Sequence, residues 1–214
     1  MHLIWDWNGT LLDDLALVVA ATNASLAGVG GPQVTAEDHR RDYRRPIAAY
    51  YEYVLGRPLV DGEFAILDNA FHDAYRAGLA TTRLAADALD AVTTWSGTQS
   101  LLSMFFHDEL VLAVAARGLD PHLSRVDGLR AAIGGGPKAP HLQAHVAALG
   151  LAGADCVLIG DSVDDADAAD EVGARCVLYT GGFTAEPLLR ATGRPVAGSL
   201  VEAVTLAAAL APVA

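Results

Sequence analysis

The stretch IWDWNGTLLDD, residues 4–14, carries Asp6 out of the apolar run Leu3-Ile4-Trp5 and then turns at Asn8-Gly9. An apolar run ended by a turn signal reads as a buried strand, so Asp6 is expected at a strand tip. Far along the chain, CVLI at 156–159 runs directly into GDSVDD, which places Asp161 at a second strand tip with Asp164 and Asp165 in the following turn. Carboxylates crowded in this way repel one another unless a hard cation shares the site, and Mg²⁺ takes oxygen ligands from one or two carboxylates while keeping several waters. Asp164 reads equally well as an acidic helix start favoured by the macrodipole. Lys138, the only lysine of the chain, follows a glycine-rich turn in GGGPKAPHL and precedes a helix with Pro140 in its first turn. It is read as a positioned charge. The turn is not a P-loop, because Ala139 follows Lys138 where that motif requires Ser or Thr. Ser103 ends the apolar run SLLS and offers a hydroxyl. A carboxylate nucleophile, a Mg²⁺ ion, one ammonium and a hydroxyl together suit phosphoryl transfer, which needs an in-line oxygen and positive charge spread around the equatorial oxygens.

These residues need a scaffold that brings them together. From about Leu84 the chain alternates helical and short apolar segments, with AADALDAVTTW, DELVLAVAARG, HLQAHVAALG and DDADAADEVG as helices. SLLSMF, SRVDGL, CVLIGD and RCVLYT are the intervening extended pieces, and a last helix begins near Leu200 after Ser199 as its cap. Strand and helix in turn imply an α/β fold with a doubly wound parallel sheet. Ligands in such sheets bind outside the carboxyl ends of the strands, where Asp6, Ser103 and Asp161 are each expected to end one. Residues 15–84 are helical throughout. Thr35 with Asp38 forms a capping box, Pro46 opens another helix, Asp61 caps a third, and Phe64, Leu67, Phe71 and Tyr75 repeat at helical spacing. The expected organisation is an α/β core from 1–14 and 85–214 with a helical cap domain from 15–84 inserted into it.

The 214 residues suffice for a full core, and 14 basic against 26 acidic residues give a formal charge of −12. That balance argues against nucleic acid or an anionic membrane as partner. No apolar stretch reaches a membrane span and the N-terminus lacks signal-peptide order, so a cytoplasmic protein is expected. Cys156 and Cys176 sit in apolar runs and are expected as reduced core thiols.

The four motifs, in this order and over nearly the whole chain, resemble those of the haloacid dehalogenase (HAD) superfamily of phosphotransferases and hydrolases. Its pattern is an aspartate followed by x-D-G-T, a strand-terminal Ser or Thr, a lysine, and G-D-S/T-x-x-D. Phosphoglycolate-phosphatase-like members are the nearest in general character, and the helical insertion looks like the family's mobile cap. The resemblance implies a Rossmann-like core and a Mg²⁺-dependent phosphatase acting on a small phosphorylated metabolite through an aspartyl-phosphate. Asp6 is then the nucleophile, with Ser103 and Lys138 as phosphoryl-oxygen donors. Asp6, Asn8 through its carbonyl, Asp161 and Asp165 hold the metal, Asp165 also supporting Lys138. Gly9, Thr10 and Arg45 contact the substrate, with Arg45, beside Pro46, expected to meet a second anionic group.

Asn8 departs from the pattern. The family's aspartate there protonates the leaving group and then activates water, and an amide does neither, so acid–base catalysis is expected to fall by roughly 10² to 10⁴. Phosphonatase chemistry needs a cap lysine, and residues 15–84 contain none. Dehalogenation needs neither metal nor the acidic cluster. Two readings remain: a phosphatase whose substrate has a good leaving group or whose cap supplies the acid, and a nearly inactive phosphate-ligand binder kept for regulation.

Overall fold

The computed structural model describes residues 1–130 and 135–210. Six parallel strands form one sheet: β1 (His2–Trp5), β2 (Gln99–Phe106), β3 (Val126–Leu129), β4 (Cys156–Gly160), β5 (Arg175–Tyr179) and β6 (Val196–Ala197), in the order β3-β2-β1-β4-β5-β6. β1 lies in the middle and all four of its residues are buried, which explains why its sequence is a continuous apolar run rather than an alternating one. Side chains still alternate between the two faces. Leu3 and Trp5 join Leu101, Val157, Ile159 and Val177 in one core, while Ile4 joins Leu102, Leu158, Cys176 and Leu178 in the other.

Helices close both faces. α5 (Ala88–Thr94), α6 (His107–Ala115) and α10 (Leu200–Ala209) contribute to the first core; α7 (Ala139–Ala148), α8 (Val163–Val172) and α9 (Glu186–Ala191) contribute to the second. Between β1 and β2 run α1 (Leu15–Ala27), α2 (Ala36–Asp42), α3 (Ile47–Leu55) and α4 (Glu63–Leu79); α1, α3 and α4, with Val34 ahead of α2, form a small core of Leu26, Val34, Tyr50, Tyr51 and Leu67. The two strands of chain that connect these helices to the sheet lie side by side. Leu12 bridges Leu84, Asp13 N–H donates to Arg83 (3.0 Å), and Ala85 N–H donates to Leu11 (2.9 Å).

Two caps stand where the side chains predict them. Thr35 and Asp38 form the expected box, and Ser199 accepts from the Glu202 N–H. Three local expectations are corrected. Asp61 does not cap α4; Gly62 does so, at φ 77°, a left-handed conformation that favours glycine. Pro46 is the extended residue before α3 rather than part of its first turn. β2 continues to Phe106, so Ser103 lies within the strand and not at its end. α9 and β6 have no counterpart in the sequence reading, being only 6 and 2 residues long. Cys156 and Cys176 are buried and unpaired. No helix among the described residues is long and apolar enough to cross a membrane.

Candidate active site

Sheet register sets the site. Trp5 of β1 pairs with Ile159 of β4, and Asp6 N–H donates to the Ile159 carbonyl (2.9 Å), so the chain leaves both strands together and exposes Asp6 and Asp161 to one crevice. Beyond Asp6 the backbone must turn within a crowded space. Gly9 has φ 74°, and a Cβ there would lie 2.5 Å from Asp161 Oδ2, which accounts for the residue type twice over.

Lys138 enters from the start of α7. Its Nζ donates to Asp6 Oδ1 at 2.5 Å and pairs with Asp165 Oδ1, with all three side chains buried. Asp165 is in turn held by a capping box: its Oδ2 accepts from Ser162 Oγ (2.6 Å) and from the N–H groups of Ser162 (3.0 Å) and Asp161 (3.2 Å). Asp161 Oδ2 accepts from the Phe183 N–H (2.6 Å). Thr10 Oγ1 stands between the other two carboxylates, 3.2 Å from Asp6 Oδ2 and 3.3 Å from Asp161 Oδ1.

The charges of the site suit a cation. Burial pushes the Asp6 carboxyl up to about 6, against the pull of Lys138, and burial together with Asp6 and Asp165 raises Asp161 well above the carboxylate range. Burial alone would lower the Lys138 ammonium and raise Asp165. The ion pair reverses both directions, raising the lysine and lowering the aspartate. Three carboxylates and one ammonium leave an excess of negative charge in a buried space. One oxygen from each of Asp6, Asp161 and Asp165 lies within 4.8 Å of the others, an all-oxygen donor set of the kind Mg²⁺ takes.

The environment of Asn8 and Ser103 differs from the sequence reading. Asn8 Nδ2 donates to Asp14 Oδ2 (2.8 Å) and to the Tyr75 hydroxyl (2.8 Å), while Asn8 Oδ1 accepts from Ser103 Oγ (3.1 Å). The Ser103 proton is therefore committed to Asn8, and service to a phosphoryl oxygen would require giving up that bond. Asp14, 1% exposed, also accepts from Gly9 N–H (2.7 Å) and from Tyr75 (2.7 Å), and burial raises it to about 6. Sequence reasoning passed over Asp14, although an amide at residue 8 followed by the paired acids Asp13-Asp14 was the available signal. It also undervalued Asp164, whose carboxylate accepts from the Lys138 N–H (3.2 Å) and meets Arg45 Nε (3.4 Å), tying the lysine's backbone to the helical layer.

Arg45 thus reaches the site from above. It lines a small chamber of about 30 Å³ with Asp6, Asn8, Lys138, Asp161 and Asp165. It also lines a larger neighbouring cavity of about 100 Å³ beneath the helices. Gly134, the first glycine of the turn before Lys138, lies outside the described residues.

A parallel sheet that presents buried carboxylates and one lysine at its carboxyl edge, under a layer of helices, is an arrangement suited to phosphoryl transfer. The comparisons with known proteins agree. The HAD-hydrolase-like family model matches residues 133–203. A phosphoglycolate phosphatase of Caulobacter vibrioides is 31% identical over 193 residues, covering 87% of this chain and 81% of that protein. In structure, the chain is similar to a predicted phosphatase from Clostridium acetobutylicum, with TM-score 0.82, 16% identity and 97% and 98% of the two chains covered. It is also similar to a hydrolase from Pseudomonas syringae, with TM-score 0.79, 20% identity and 99% and 100% covered. The chain belongs to the HAD-like hydrolases and is a phosphoric monoester hydrolase of the phosphoglycolate-phosphatase-like kind.

Proposed function

We propose that the protein hydrolyses the phosphate ester of a small metabolite, with Asp6 as nucleophile and Mg²⁺ as the metal. The observation that carries this reading is the Lys138 ammonium held between Asp6 and Asp165 (Asp6 Oδ1 at 2.5 Å) in the same chamber as Asp161. Asp6, Asp161, Asp165 and the carbonyl of Asn8 would hold the ion. When bound, it neutralises carboxylate charge and draws electron density from the phosphoryl oxygens.

The chain's own residues do the rest. Lys138 keeps Asp6 ionised and offers its remaining donor to an equatorial oxygen. The Thr10 hydroxyl and the Gly9 turn orient the Asp6 carboxylate and leave room for the phosphoryl group. Asp6 attacks phosphorus as the ester P–O bond breaks, and the leaving group departs as its oxyanion and takes a proton from solvent water; water then attacks the aspartyl-phosphate, releasing phosphate and restoring the Asp6 carboxylate. Arg45 contributes positive charge at the mouth, and Ser103 positions Asn8. Residues 15–84 act as the cap that covers the ester. Asn8 supplies no proton, which favours substrates with a good leaving group.

A second reading, a phosphate-ligand binder of low activity, is motivated by Asn8 alone. Phosphate release from p-nitrophenyl phosphate and acetyl phosphate separates the two. Wild type with Mg²⁺ should turn over, while wild type in chelator and Asp6→Asn with Mg²⁺ should each fall by at least about 10³-fold. Equal rates in wild type and Asp6→Asn would leave only the binder.

A further inference from the structure

Beside the charged chamber lies the cavity of about 100 Å³, and the two are contiguous because Asn8, Tyr43, Arg45, Met104 and Phe183 line both. A phosphoryl group at Asp6 would thus have this cavity within reach of its ester oxygen and the attached alcohol. Its walls are chiefly aromatic, from both layers: Tyr50, Tyr51, Phe71 and Tyr75 from the helices, Phe105 and Phe183 from the sheet side. Ring contacts already run along them, with Phe71 stacked on Tyr75 (5.8 Å) and Tyr75 edge-on to Phe105 (5.4 Å). In size it is comparable to the engineered apolar cavity of about 150 Å³ that holds benzene.

The polar groups that line it do not suit a second anion. Arg45 is the one arginine or lysine among the lining residues, and it is engaged by Asp164 (3.4 Å) and by the Gly136 carbonyl (3.0 Å). Asp68 adds a carboxylate, 7% exposed, with His72 Nε2 3.5 Å away. His39, 2% exposed, shares its Nδ1 with the Tyr50 hydroxyl (3.0 Å), and burial lowers its pKa to about 4, so the ring is neutral. His39 Nε2 and His72 Nδ1 have no partner among the described residues. A carboxylate placed here would lose its hydration and gain no unpaired cation, whereas an uncharged ring gains aromatic contact and can offer a polar substituent to a neutral histidine.

We infer that the preferred substrates are phosphate esters of uncharged, ring-bearing alcohols of about benzyl size, in preference to carboxylate-bearing esters such as 2-phosphoglycolate. This rests on the phosphatase reading above for its chemistry and on the cavity for its selectivity.

The test compares benzyl phosphate, ethyl phosphate and 2-phosphoglycolate, all esters of alkyl alcohols, so that leaving-group acidity does not decide the outcome. With Mg²⁺, kcat/KM for benzyl phosphate should exceed each of the others by at least about tenfold. Ile47 also lines the larger cavity and does not line the charged chamber, so Ile47→Trp, or the smaller Ile47→Phe if the first does not fold, should narrow the cavity and lower that advantage at least tenfold, leaving acetyl phosphate, which has no ring to place there, within about twofold. Equal or better use of 2-phosphoglycolate, or equal loss on benzyl and acetyl phosphate in a folded variant, overturns the inference. Binding separates its failure from failure of the proposed function. On Asp6→Asn, calorimetry with the non-hydrolysable phenethylphosphonate and 3-phosphonopropionate should show the former binding at least about tenfold tighter, even if no ester is hydrolysed. Tighter binding of the carboxylate overturns it as well.

Discussion

Both amide hydrogens and the oxygen of Asn8 are engaged, by Asp14, Tyr75 and Ser103, so restoring the family's aspartate is not a one-residue change. An Asn8→Asp carboxylate would face Asp14 Oδ2 across what is now a 2.8 Å hydrogen bond, and two buried carboxylates at that distance repel or must share a proton. Asn8→Asp alone is therefore expected to lower thermal stability and to gain little on alkyl phosphates. The exchange Asn8→Asp with Asp14→Asn keeps one amide and one carboxylate in contact. It should recover stability and accelerate ethyl phosphate hydrolysis by at least about tenfold, with a much smaller effect on p-nitrophenyl phosphate, whose leaving group needs no proton. Melting curves and the two rate ratios check this. A single variant as stable and active as the exchange would show that Asp14 does not govern the amide. Intact mass must accompany both assays, since Asn8-Gly9 is a deamidation-prone pair. At this scale the sequence made the convergence of Asp6, Lys138 and Asp161 legible, because strand-terminal acids and an isolated lysine before a helix are local signals. Asp14 and Asp164 were not legible, because their roles come from partners 61 and 26 residues away, Tyr75 and Lys138.

The strands β1, β2 and β3 and the helix α7 are joined away from the site by a buried polar chain. His2 Nδ1 meets Thr98 Oγ1 (2.8 Å), His2 Nε2 meets Ser100 Oγ (2.8 Å), Ser100 Oγ meets His145 Nε2 (2.8 Å), and His145 Nδ1 meets Asp127 Oδ2 (2.7 Å), itself paired with Arg125. Serine, histidine and aspartate in this order are also the parts of a nucleophile array, but Ser100 is wholly buried in β2, where no substrate reaches it. The chain instead fixes neighbouring strands in register. Burial, His145 and the terminal ammonium lower His2 to about 4 from 6.5, and the charges next along the chain are Asp127 and Arg125. A histidine whose folded pKa is depressed binds fewer protons when folded. Its contribution is intact above pH 6.5 and is lost as pH falls toward 4. Asp6 and Asp14, raised to about 6, change stability in the opposite sense over the same window, so the difference is the test: in denaturant unfolding the advantage of wild type over His2→Gln should be constant above pH 6.5 and shrink as pH falls toward 4. His39 retains its own acid slope in the variant. An advantage that stays constant across that window would remove His2 as the cause. The strands themselves were legible because β1, β4 and β5 are short apolar runs bounded by turn residues. The placing of Ser103 at a strand end did not hold, because the extended piece SLLSMF runs past it and β2 continues through Met104, Phe105 and Phe106.

For the molecule as a whole, a formal charge of −12 surrounds a site whose cations are Lys138 and Arg45, and both are already paired with aspartates. A dianionic ester approaching from solution is repelled by the global field before the local charges act on it. Asp164 of α8 and Asp68 of the helical layer add to the imbalance at the mouth, lining the small chamber and the larger cavity respectively. Added salt shortens the screening length from about 30 Å at 0.01 M to about 8 Å at 0.15 M, which weakens the long-range repulsion far more than contacts made inside a buried chamber. With Mg²⁺ held saturating, kcat/KM for a phosphate ester should therefore rise about two- to fivefold over that range of monovalent salt, chiefly through KM. The sign is the test, because a site whose own positive field controlled encounter would lose kcat/KM with salt. That loss would mean that Lys138 and Arg45 project charge beyond the aspartates that hold them, and that the cap opens widely enough for the substrate to feel them first.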